Sequence, residues 1–341
     1  MWCTKKILIG SLLSFSMLKA AAQDLHFSQF FNSPLTTNPA NTGFMPDVDY
    51  RLGAHFRNQW SSILAAPYKT LSVFGDAQLF RDRLDNGWLG VGGVILSDQA
   101  GSGTLRSNKI YGSVAYHQML GAASLLSAGF NLGWVNKRID LSKLTFPDQF
   151  NGSFFDPSVA TSTQLANTSV SYFDMQVGMN YAYFPSDDLY INGGYSIQHV
   201  NRPRETFFSE SSDSTKVAMR HTGFVNALYK ANDRVILNPN AYFTTQAKSF
   251  SFMLGMTANY NLSGDGDKQL IAGLYYRNAD ALIPMIGFEL KKLRFTFSYD
   301  ATTSGLRNFN NMQGAQEFSL IKQGFYNEAN GSTRQVVCPK F

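Results

Sequence analysis

The sequence has few cysteines, few charged side chains and no long apolar run beyond its first 22 residues. Its 341 residues include two cysteines, Cys3 and Cys338. Because Cys3 lies in a segment that we expect to be removed, a framework of intramolecular disulfides is excluded. We interpret Cys338 as an unreactive residue of a C-terminal tail, and a mixed disulfide with a partner is the alternative.

The composition excludes one class of membrane protein and favours another. Charged residues make up 16% of the chain and aromatic residues 14%, with 28 glycines and 28 phenylalanines. After residue 22 there is no run of about 18 apolar residues, which excludes helical membrane spans. An exported chain that is rich in aromatic residues and poor in charge is typical of an outer-membrane β-barrel.

The first 22 residues predict export. Lys5 and Lys6 precede a mostly apolar stretch at 7–18, and alanines at 20–22 offer small residues for cleavage. This pattern predicts a signal peptide over residues 1–22. Its removal takes away three of the 29 basic residues and leaves 26 against 24 acidic ones, so the basic balance is no argument for nucleic-acid binding. We expect the mature protein in the bacterial outer membrane, in contact with its lipid.

Alternation with period two predicts the fold class. In residues 171–184, apolar side chains such as Phe173 and Met179 alternate with polar ones such as Asp174 and Asn180. Fourteen segments of this kind, many with ten or more residues, predict an antiparallel barrel, since an even number is typical of bacterial single-chain barrels. The candidate strands are 50–59, 70–80, 88–97, 109–119, 125–134, 171–184, 189–199, 217–229, 235–246, 249–260, 269–277, 281–290, 293–300 and 315–322. A soluble all-β sandwich, whose strands average about 5 to 6 residues, is the alternative.

The connections and the polar faces agree with a barrel. If the first strand runs outward, the long connections, including residues 136–169, fall on the extracellular side, although the fifth and sixth outer ones are short. The polar faces carry charges of both signs, which suit a wet or plugged lumen. They are Arg51, Arg57, Asp76, Asp174, Arg220, Arg277, Arg294 and Asp300. We expect His55 to point into the lumen beside Arg57 and to form a structural hydrogen bond.

The sequence predicts no catalytic, cofactor or metal site. Its five histidines are scattered without metal-ligand spacing, and the serine signature G-x-S-x-G is absent. We therefore expect a protein that is not an enzyme and needs no cofactor. A barrel hydrolase with Ser and His on neighbouring strands is an alternative, and a passive, porin-like channel is another.

Several stretches, in this order, resemble the PorP/SprF family of type IX secretion system membrane proteins. They are QDLHFSQFFNSPLTTNPANTG, YRLGAHFRNQW, PYKTLSVFGD, GVGGVILSDQAG, LTFPDQF and the terminal CPKF. The resemblance implies an outer-membrane barrel that supports the secretion or surface attachment of cargo such as gliding adhesins. It also implies two kinds of partner, namely secreted cargo with C-terminal sorting domains and periplasmic components of the secretion machine.

The predicted domain organisation has four parts. We expect the signal peptide at 1–22, an irregular N-terminal segment at 23–48, the transmembrane barrel at 49–323 and a polar C-terminal tail at 324–341. In the N-terminal segment, we expect Phe27, Phe30 and Phe31 to anchor against the lumen wall or over the periplasmic mouth. Pro34 and Pro39 are expected to stop a helix or a central strand from continuing. A flexible leader is the alternative.

The longest outer connection is the second candidate site. It carries Phe146, Phe150, Phe154 and Phe155 among Ser, Thr and Asn. A loop of this length needs its own structure or a partner, and exposed aromatic side chains are common interface anchors. We predict that these four residues help to bind the cargo. The alternative is that they pack the loop into the barrel mouth.

Overall fold

A computed structural model describes residues 25–327, except 46, 82, 102–104, 145, 157, 160, 162–166 and 208–214. The predictions about the signal peptide, Cys338 and most of the C-terminal tail therefore lie outside the described residues. No helix in the described part of the chain is long and apolar enough to cross a membrane.

Fourteen antiparallel strands form one closed barrel, in which each strand pairs with its neighbours in sequence and the last pairs with the first. The strands are β1 Tyr50–Gln59, β2 Tyr68–Leu79, β3 Gly87–Ala100, β4 Leu105–Met119, β5 Ser124–Arg138, β6 Ser169–Ser186, β7 Leu189–Gln198, β8 Arg220–Asn232, β9 Val235–Gln246, β10 Ser249–Asn261, β11 Lys268–Arg277, β12 Ala281–Leu290, β13 Leu293–Thr302 and β14 Gln313–Gly324. The predicted fold class is confirmed, and every candidate strand overlaps an observed one. The soluble sandwich alternative is wrong, because the strands close into a single sheet with no free edge.

The predicted alternation places apolar side chains outside the barrel and polar ones inside it. On β6, Phe173 and Met179 are exposed on the outer face, whereas Asp174 and Asn180 are buried in the lumen. The same pattern holds on β13, where Thr296, Ser298 and Asp300 are buried inside. Such a large apolar outer surface is unfavourable in water, so it identifies the lipid-facing band of a membrane barrel.

The connections sort by length between the two ends of the barrel. Residues 139–168 join β5 to β6 and residues 199–219 join β7 to β8, both at what we call the long-loop end. At the other end, the short-turn end, two residues suffice between β6 and β7, between β8 and β9, and between β12 and β13. In the last of these turns Lys291 and Lys292 both have positive φ, 47° and 64°, as a tight hairpin with the native strand twist requires. Two connections at the long-loop end are short, as predicted, namely 247–248 and 278–280.

The wall of the barrel is not equally tall on all sides. Strands β3 to β6 contain 14, 15, 15 and 18 residues, whereas β11, β12 and β13 contain ten each. The paired ends of β4, β5 and β6 therefore rise further at the long-loop end than the opposite wall. The described residues before β1 fold inside the barrel, where the buried apolar clusters also lie.

Candidate functional site: a plugged barrel lumen

The described residues of 25–49, which we call the lumen plug, run through the barrel from the long-loop end to the short-turn end. At the start of the plug, the backbone oxygen of Leu25 accepts a hydrogen bond of 2.7 Å from Arg220, the first residue of β8. Near its end, the oxygen of Gly43 accepts one of 2.9 Å from the indole of Trp88, at the short-turn end of β3. The chain then turns back and enters β1 at Tyr50.

The plug, predicted to be irregular, contains three short helical turns. The four-residue helix α1, Pro34–Thr37, lies between the 3-10 turns Phe30–Asn32 and Pro39–Asn41. Each proline begins one of these turns, and the preceding helical turn ends two residues before it. At the first helical position, the missing N–H of proline costs nothing and its fixed φ is already helical. The Asn38 side chain accepts a hydrogen bond of 2.9 Å from the Ala40 N–H and so caps the turn that follows.

A buried cluster of two arginines and two carboxylates holds the plug near the long-loop end. The Arg277 guanidinium lies 2.5 Å from the Asp300 carboxylate, and the Arg57 guanidinium lies 3.1 Å from it. Arg57 also pairs with Glu317, and all four side chains are at most 5% exposed. The two positive and two negative buried groups pair with one another, and Arg277 also pairs with the half-exposed Asp280 at 2.6 Å, so each buried charge has a partner away from water.

Ser28 of the plug lies at the centre of this cluster. Its hydroxyl donates to Asp300 at 2.9 Å and accepts hydrogen bonds from Arg57 at 3.0 Å and Arg277 at 2.9 Å. The backbone N–H groups of Ser28 and Gln29 donate to the two oxygens of Glu317 at 2.8 and 2.9 Å. The cluster therefore recognises plug backbone as well as one side chain.

His55 completes the environment of Glu317. Its Nε2 lies 3.2 Å from the Glu317 carboxylate, so the histidine lies in the lumen and has a structural hydrogen bond. The Phe27 ring stacks on the other side of this imidazole, with ring centroids 4.1 Å apart. Burial, and then the positive charges of Arg277 and Arg220, lower the pKa of the nearby His26 well below its ordinary value. His26 is therefore neutral at pH 7.

Neutral side chains of the wall form hydrogen bonds with the next residues of the plug. Gln29 donates to the Ser298 hydroxyl at 2.9 Å, and Asn32 donates to the Thr296 hydroxyl at 2.9 Å, both on β13. The Thr296 hydroxyl donates to the side-chain amide oxygen (Oε1) of Gln29 at 2.6 Å. A ladder of polar residues on one wall strand therefore sets the register of this part of the plug.

The aromatic residues of the plug fill the lumen beside these polar contacts. Phe30 lies 4.9 Å from the Tyr242 ring, and Phe31 stacks on the Tyr275 ring at 5.4 Å. Phe27 is 3% exposed and Phe30 is 4% exposed, while Phe31 is half-buried. Pro34 and Pro39 are also buried in the lumen. The five plug residues singled out in the sequence thus lie between the barrel walls.

Glycines in the wall make room for the middle of the plug. A Cβ at Gly129 on β5 would overlap the Pro39 carbonyl, and one at Gly178 on β6 would overlap the Asn38 side chain. Gly129 and Gly178 are direct partners across the β5–β6 pair. Because any larger side chain at these positions would displace the plug, the wall and the plug are matched in shape.

At the short-turn end, the plug is held by hydrogen bonds between its own peptide groups and side chains of the wall, one of which belongs to an ion pair within the wall. The Asp76 carboxylate accepts a hydrogen bond of 2.8 Å from the Gly43 N–H, and it pairs with Arg51 at 2.7 Å. His117 Nε2 donates to the Thr42 carbonyl at 2.8 Å, since a carbonyl can only accept. Gly43 has a φ of +67°, and a Cβ there would also overlap Gly90 of the wall, so glycine is required at this bend.

The plug lies between two cavities. A cavity of ≈ 730 Å³ at the long-loop end is lined by Leu35 and Thr36 of the plug and by wall residues such as Trp60 and Lys109. A cavity of ≈ 440 Å³ at the short-turn end is lined by the opposite side of the plug, including Phe31. The plug therefore fills the middle of the lumen and leaves space at both mouths.

The charged lumen residues predicted from the sequence serve several different contacts. Arg57, Arg277 and Asp300 belong to the ion cluster, and Arg220 donates a hydrogen bond to the plug. Two further arginines form ion pairs within the wall, Arg51 with Asp76 and Arg294 with Glu289. Asp174 forms hydrogen bonds with His199 and Tyr111. Glu317, Ser28 and Gln29 were missed. The alternation on β14 places Glu317 on the lumen face, but no sequence pattern links it to a serine 289 residues earlier.

The long connection 139–168 stands apart from the plug. Phe150, Phe154 and Phe155 are 49%, 61% and 49% exposed, and Phe146 is half-buried. Phe150 and Phe155 form an isolated antiparallel bridge, and their rings lie 5.1 Å apart. The structure thus brings two of the four predicted partner-binding residues together on the exposed surface of this loop.

Residues 19–321 of the chain match the model of a family described as "Type IX secretion system membrane protein PorP/SprF". The chain belongs to the PorP/SprF family. The family is a membrane component of a secretion system, and the closed barrel agrees with a place in a membrane. No curated protein sequence matches the chain.

Solved structures resemble this PorP/SprF barrel in fold. A FadL homologue from Pseudomonas aeruginosa has a TM-score of 0.51 and 11% sequence identity, with 83% of this chain and 91% of that chain covered. The monoaromatic hydrocarbon channel CymD has a TM-score of 0.50 and 10% identity, with 86% and 92% covered. The P. putida toluene transporter TodX has a TM-score of 0.49 and 13% identity, with 87% and 95% covered. At these identities the likeness concerns the fold alone.

Proposed function

We propose that the protein is a non-enzymatic outer-membrane component of the type IX secretion system that supports the secretion or surface attachment of cargo proteins. Membership of the PorP/SprF family is the observation that supports this function most directly. In bacterial outer-membrane barrels the long loops face the exterior, so residues 139–168 would meet exported cargo and the short-turn end would face the periplasm.

The plug supports a role as a fixed platform over a role as a passive channel. Residues 25–49 occupy the middle of the lumen, and the ion cluster at Ser28 is buried and charge-balanced. Displacing the plug would remove the hydrogen bonds that Ser28 and Gln29 donate to the buried Asp300 and Glu317 carboxylates, and leaving buried charged groups short of hydrogen bonds is costly. A barrel held in this way presents its loops on a rigid frame.

The cargo contact is proposed at the aromatic loop. Exposed aromatic rings that lose solvent on binding are frequent energetic anchors of protein interfaces. Phe150 and Phe154 are the leading candidates, with Phe146 and Phe155 beside them, and the cargo would be a secreted protein with a C-terminal sorting domain. Components of the machine in the periplasm would meet the short-turn end.

A photo-crosslinking experiment tests the cargo contact. A photoreactive phenylalanine analogue placed at Phe154 should crosslink to an exported protein in growing cells, and the same analogue at Ile286, which is 65% exposed on the lipid face, should not. Equal crosslinking at both positions, or none at Phe154 in cells that display the cargo, would count against the loop as the contact.

Deletion of residues 25–43 tests the platform. We expect the barrel to assemble with reduced stability and the amount of cargo on the cell surface to fall. Planar-bilayer conductance of the same two proteins separates the platform from a porin-like channel. Small currents from the wild type and large ones from the deletion variant fit a plugged platform, whereas large stable currents from the wild type would support the channel.

A further inference from the structure

The outer face of the tall wall changes abruptly from apolar to polar. Four directly paired residues on β3 to β6 point outward and are between 42% and 67% exposed. They are Ile95, Ile110, Trp134 and Phe173. Apolar side chains with this exposure on a membrane barrel lie in hydrocarbon or at its boundary, and tryptophan is typical of the boundary.

Two residues further toward the long-loop end, the same strands carry a polar row. Ser97, Asn108, Asn136 and Ser171 are again directly paired. Ser97 donates to Asn108 at 2.8 Å, and Asn136 donates to Ser171 at 2.9 Å. Since the outward-facing side chains of a membrane barrel are apolar within the hydrocarbon band, the change to polar side chains marks the end of this band between the two rows.

Two residues beyond the polar row, again on the outer face, two arginines lie directly opposite each other. Arg106 of β4 and Arg138 of β5 are register partners, and both are exposed. Like charges opposite each other on one face of a sheet are destabilising unless something neutralises them. Neither guanidinium forms an ion pair with any residue that the structure describes.

The two arginines line a cavity of ≈ 450 Å³ together with Ile139, Asp140 and Leu141. Asp140 is the acidic residue of this lining, and one of its oxygens accepts hydrogen bonds from the backbone and the hydroxyl of Ser142. The charged residues of the lining are thus two cations and one anion. The cavity has room and positive charge for an external anion.

The height of the arginine pair matches a lipid headgroup. Arg106 precedes Ile110 by four residues on β4, and Arg138 follows Trp134 by four on β5, so both arginines lie four residues closer to the long-loop end. Four residues span about 13 Å along a strand, and a tilt of roughly 40° reduces this to about 10 Å along the membrane normal. The headgroup region extends about 5 to 8 Å beyond the hydrocarbon on each side, within reach of long arginine side chains.

We propose that Arg106 and Arg138 form a binding site for the phosphate group of an anionic lipid in the outer leaflet. Two adjacent guanidinium groups match phosphate oxygens in charge and in bidentate geometry. The proposal needs the barrel in the membrane with its long-loop end outward, and it holds whichever cargo the protein serves. Its failure would leave the secretion function untouched.

Native mass spectrometry of the full-length protein in neutral detergent tests the site. The probe is phosphatidylglycerol, compared with phosphatidylcholine that has the same acyl chains. We expect the wild type to retain phosphatidylglycerol preferentially, and the double variant Arg106→Gln/Arg138→Gln to bind it about thirtyfold more weakly, given the contribution of each of the two basic residues near an anionic surface. Binding of phosphatidylcholine should not change. Equal retention of both lipids by the wild type would overturn the proposal.

The matched control is Arg202→Gln/Lys248→Gln, which removes two exposed cations from other connections at the long-loop end. It should leave phosphatidylglycerol binding within about twofold of the wild type, since a diffuse surface charge contributes little. An equal loss of phosphatidylglycerol binding in both double variants would show that the lipid is attracted by the overall surface charge, and would overturn the proposed site. Displacement of the lipid by equimolar inorganic phosphate would show that the two arginines bind free phosphate, and would overturn the proposal of a lipid site.

Discussion

The two ends of the lumen plug are held by different chemistry. Near the long-loop end, Ser28 lies within a buried cluster of four charged side chains that includes Glu317. At the short-turn end, Gly43 is held by peptide hydrogen bonds from Trp88 and to Asp76. The first arrangement fails severely when one member is lost, because another charge is left buried and unpaired. The second consists of single hydrogen bonds, worth about 1 kcal/mol for the neutral Trp88 indole and about 1.5 to 3 kcal/mol for the Asp76 carboxylate, whose own ion pair with Arg51 lies within the wall.

Glu317→Gln should have the largest effect. The amide keeps the shape of the side chain but removes one of two negative charges, which leaves Arg57 short of a partner in a buried cluster. We expect the free energy of unfolding to fall by about 3 to 5 kcal/mol. Urea titration of the folded, heat-modifiable form on gels measures this loss.

The control for this variant is Glu289→Gln. Glu289 also pairs with an arginine, Arg294, but that guanidinium is 36% exposed, so water replaces the lost partner. The change should be below about 1 kcal/mol. Similar losses of unfolding free energy in both variants would show that burial does not make the cluster more sensitive than an exposed ion pair. The proposed difference between the two ends of the plug would then not hold.

Gly178→Ala should have an intermediate effect. Its Cβ would overlap the Asn38 side chain in the middle of the plug. Since overpacking of a well-packed interior costs about 1 to 3 kcal/mol, we expect the plug to loosen and to become sensitive to added protease while the barrel remains folded. Mass spectrometry of the cleavage products locates the cut.

Gly112→Ala is the matched glycine on β4. It points outward, and its Cβ would come no nearer than 3.9 Å to the Leu132 oxygen, an ordinary contact. Its protease pattern should equal that of the wild type. If Gly112→Ala exposed the plug as much as Gly178→Ala did, the cause would be strand propensity and not the fit between wall and plug.

Trp88→Phe should have the smallest effect. It removes the indole N–H that donates to the Gly43 carbonyl at 2.9 Å and keeps a ring that stacks near His117. We expect a loss of about 1 kcal/mol by the same urea titration. A loss as large as that of Glu317→Gln would mean that both ends depend equally on single contacts.

The barrel could be predicted from the sequence because its signal is local. Alternation needs only neighbouring residues, so segments such as 171–184 identified both the strand and the face of each side chain. The lumen side of Arg57, Arg277 and Asp300 followed from the same alternation. The family resemblance, carried by short motifs in a fixed order, is confirmed by the match over residues 19–321.

The plug contacts could not be predicted because they join distant parts of the chain. Ser28 meets Glu317 across 289 residues and Asp300 across 272. No periodicity marks such a contact, and the positions of the prolines give only the points at which short helical turns begin. The glycines at 129 and 178 show their role only in the folded barrel, where Pro39 and Asn38 of the plug lie against them.

By itself, the sequence determined the number of strands, the inward and outward faces, and the side on which the long connections lie, because these depend on spacing along the chain. The tertiary structure alone decided that residues 25–49 fill the lumen, that opposite charges balance around Ser28, and that Arg106 and Arg138 stand side by side above the apolar band. The reason is closure of the sheet, which sets the register between strands and so brings together groups whose separation along the chain carries no pattern.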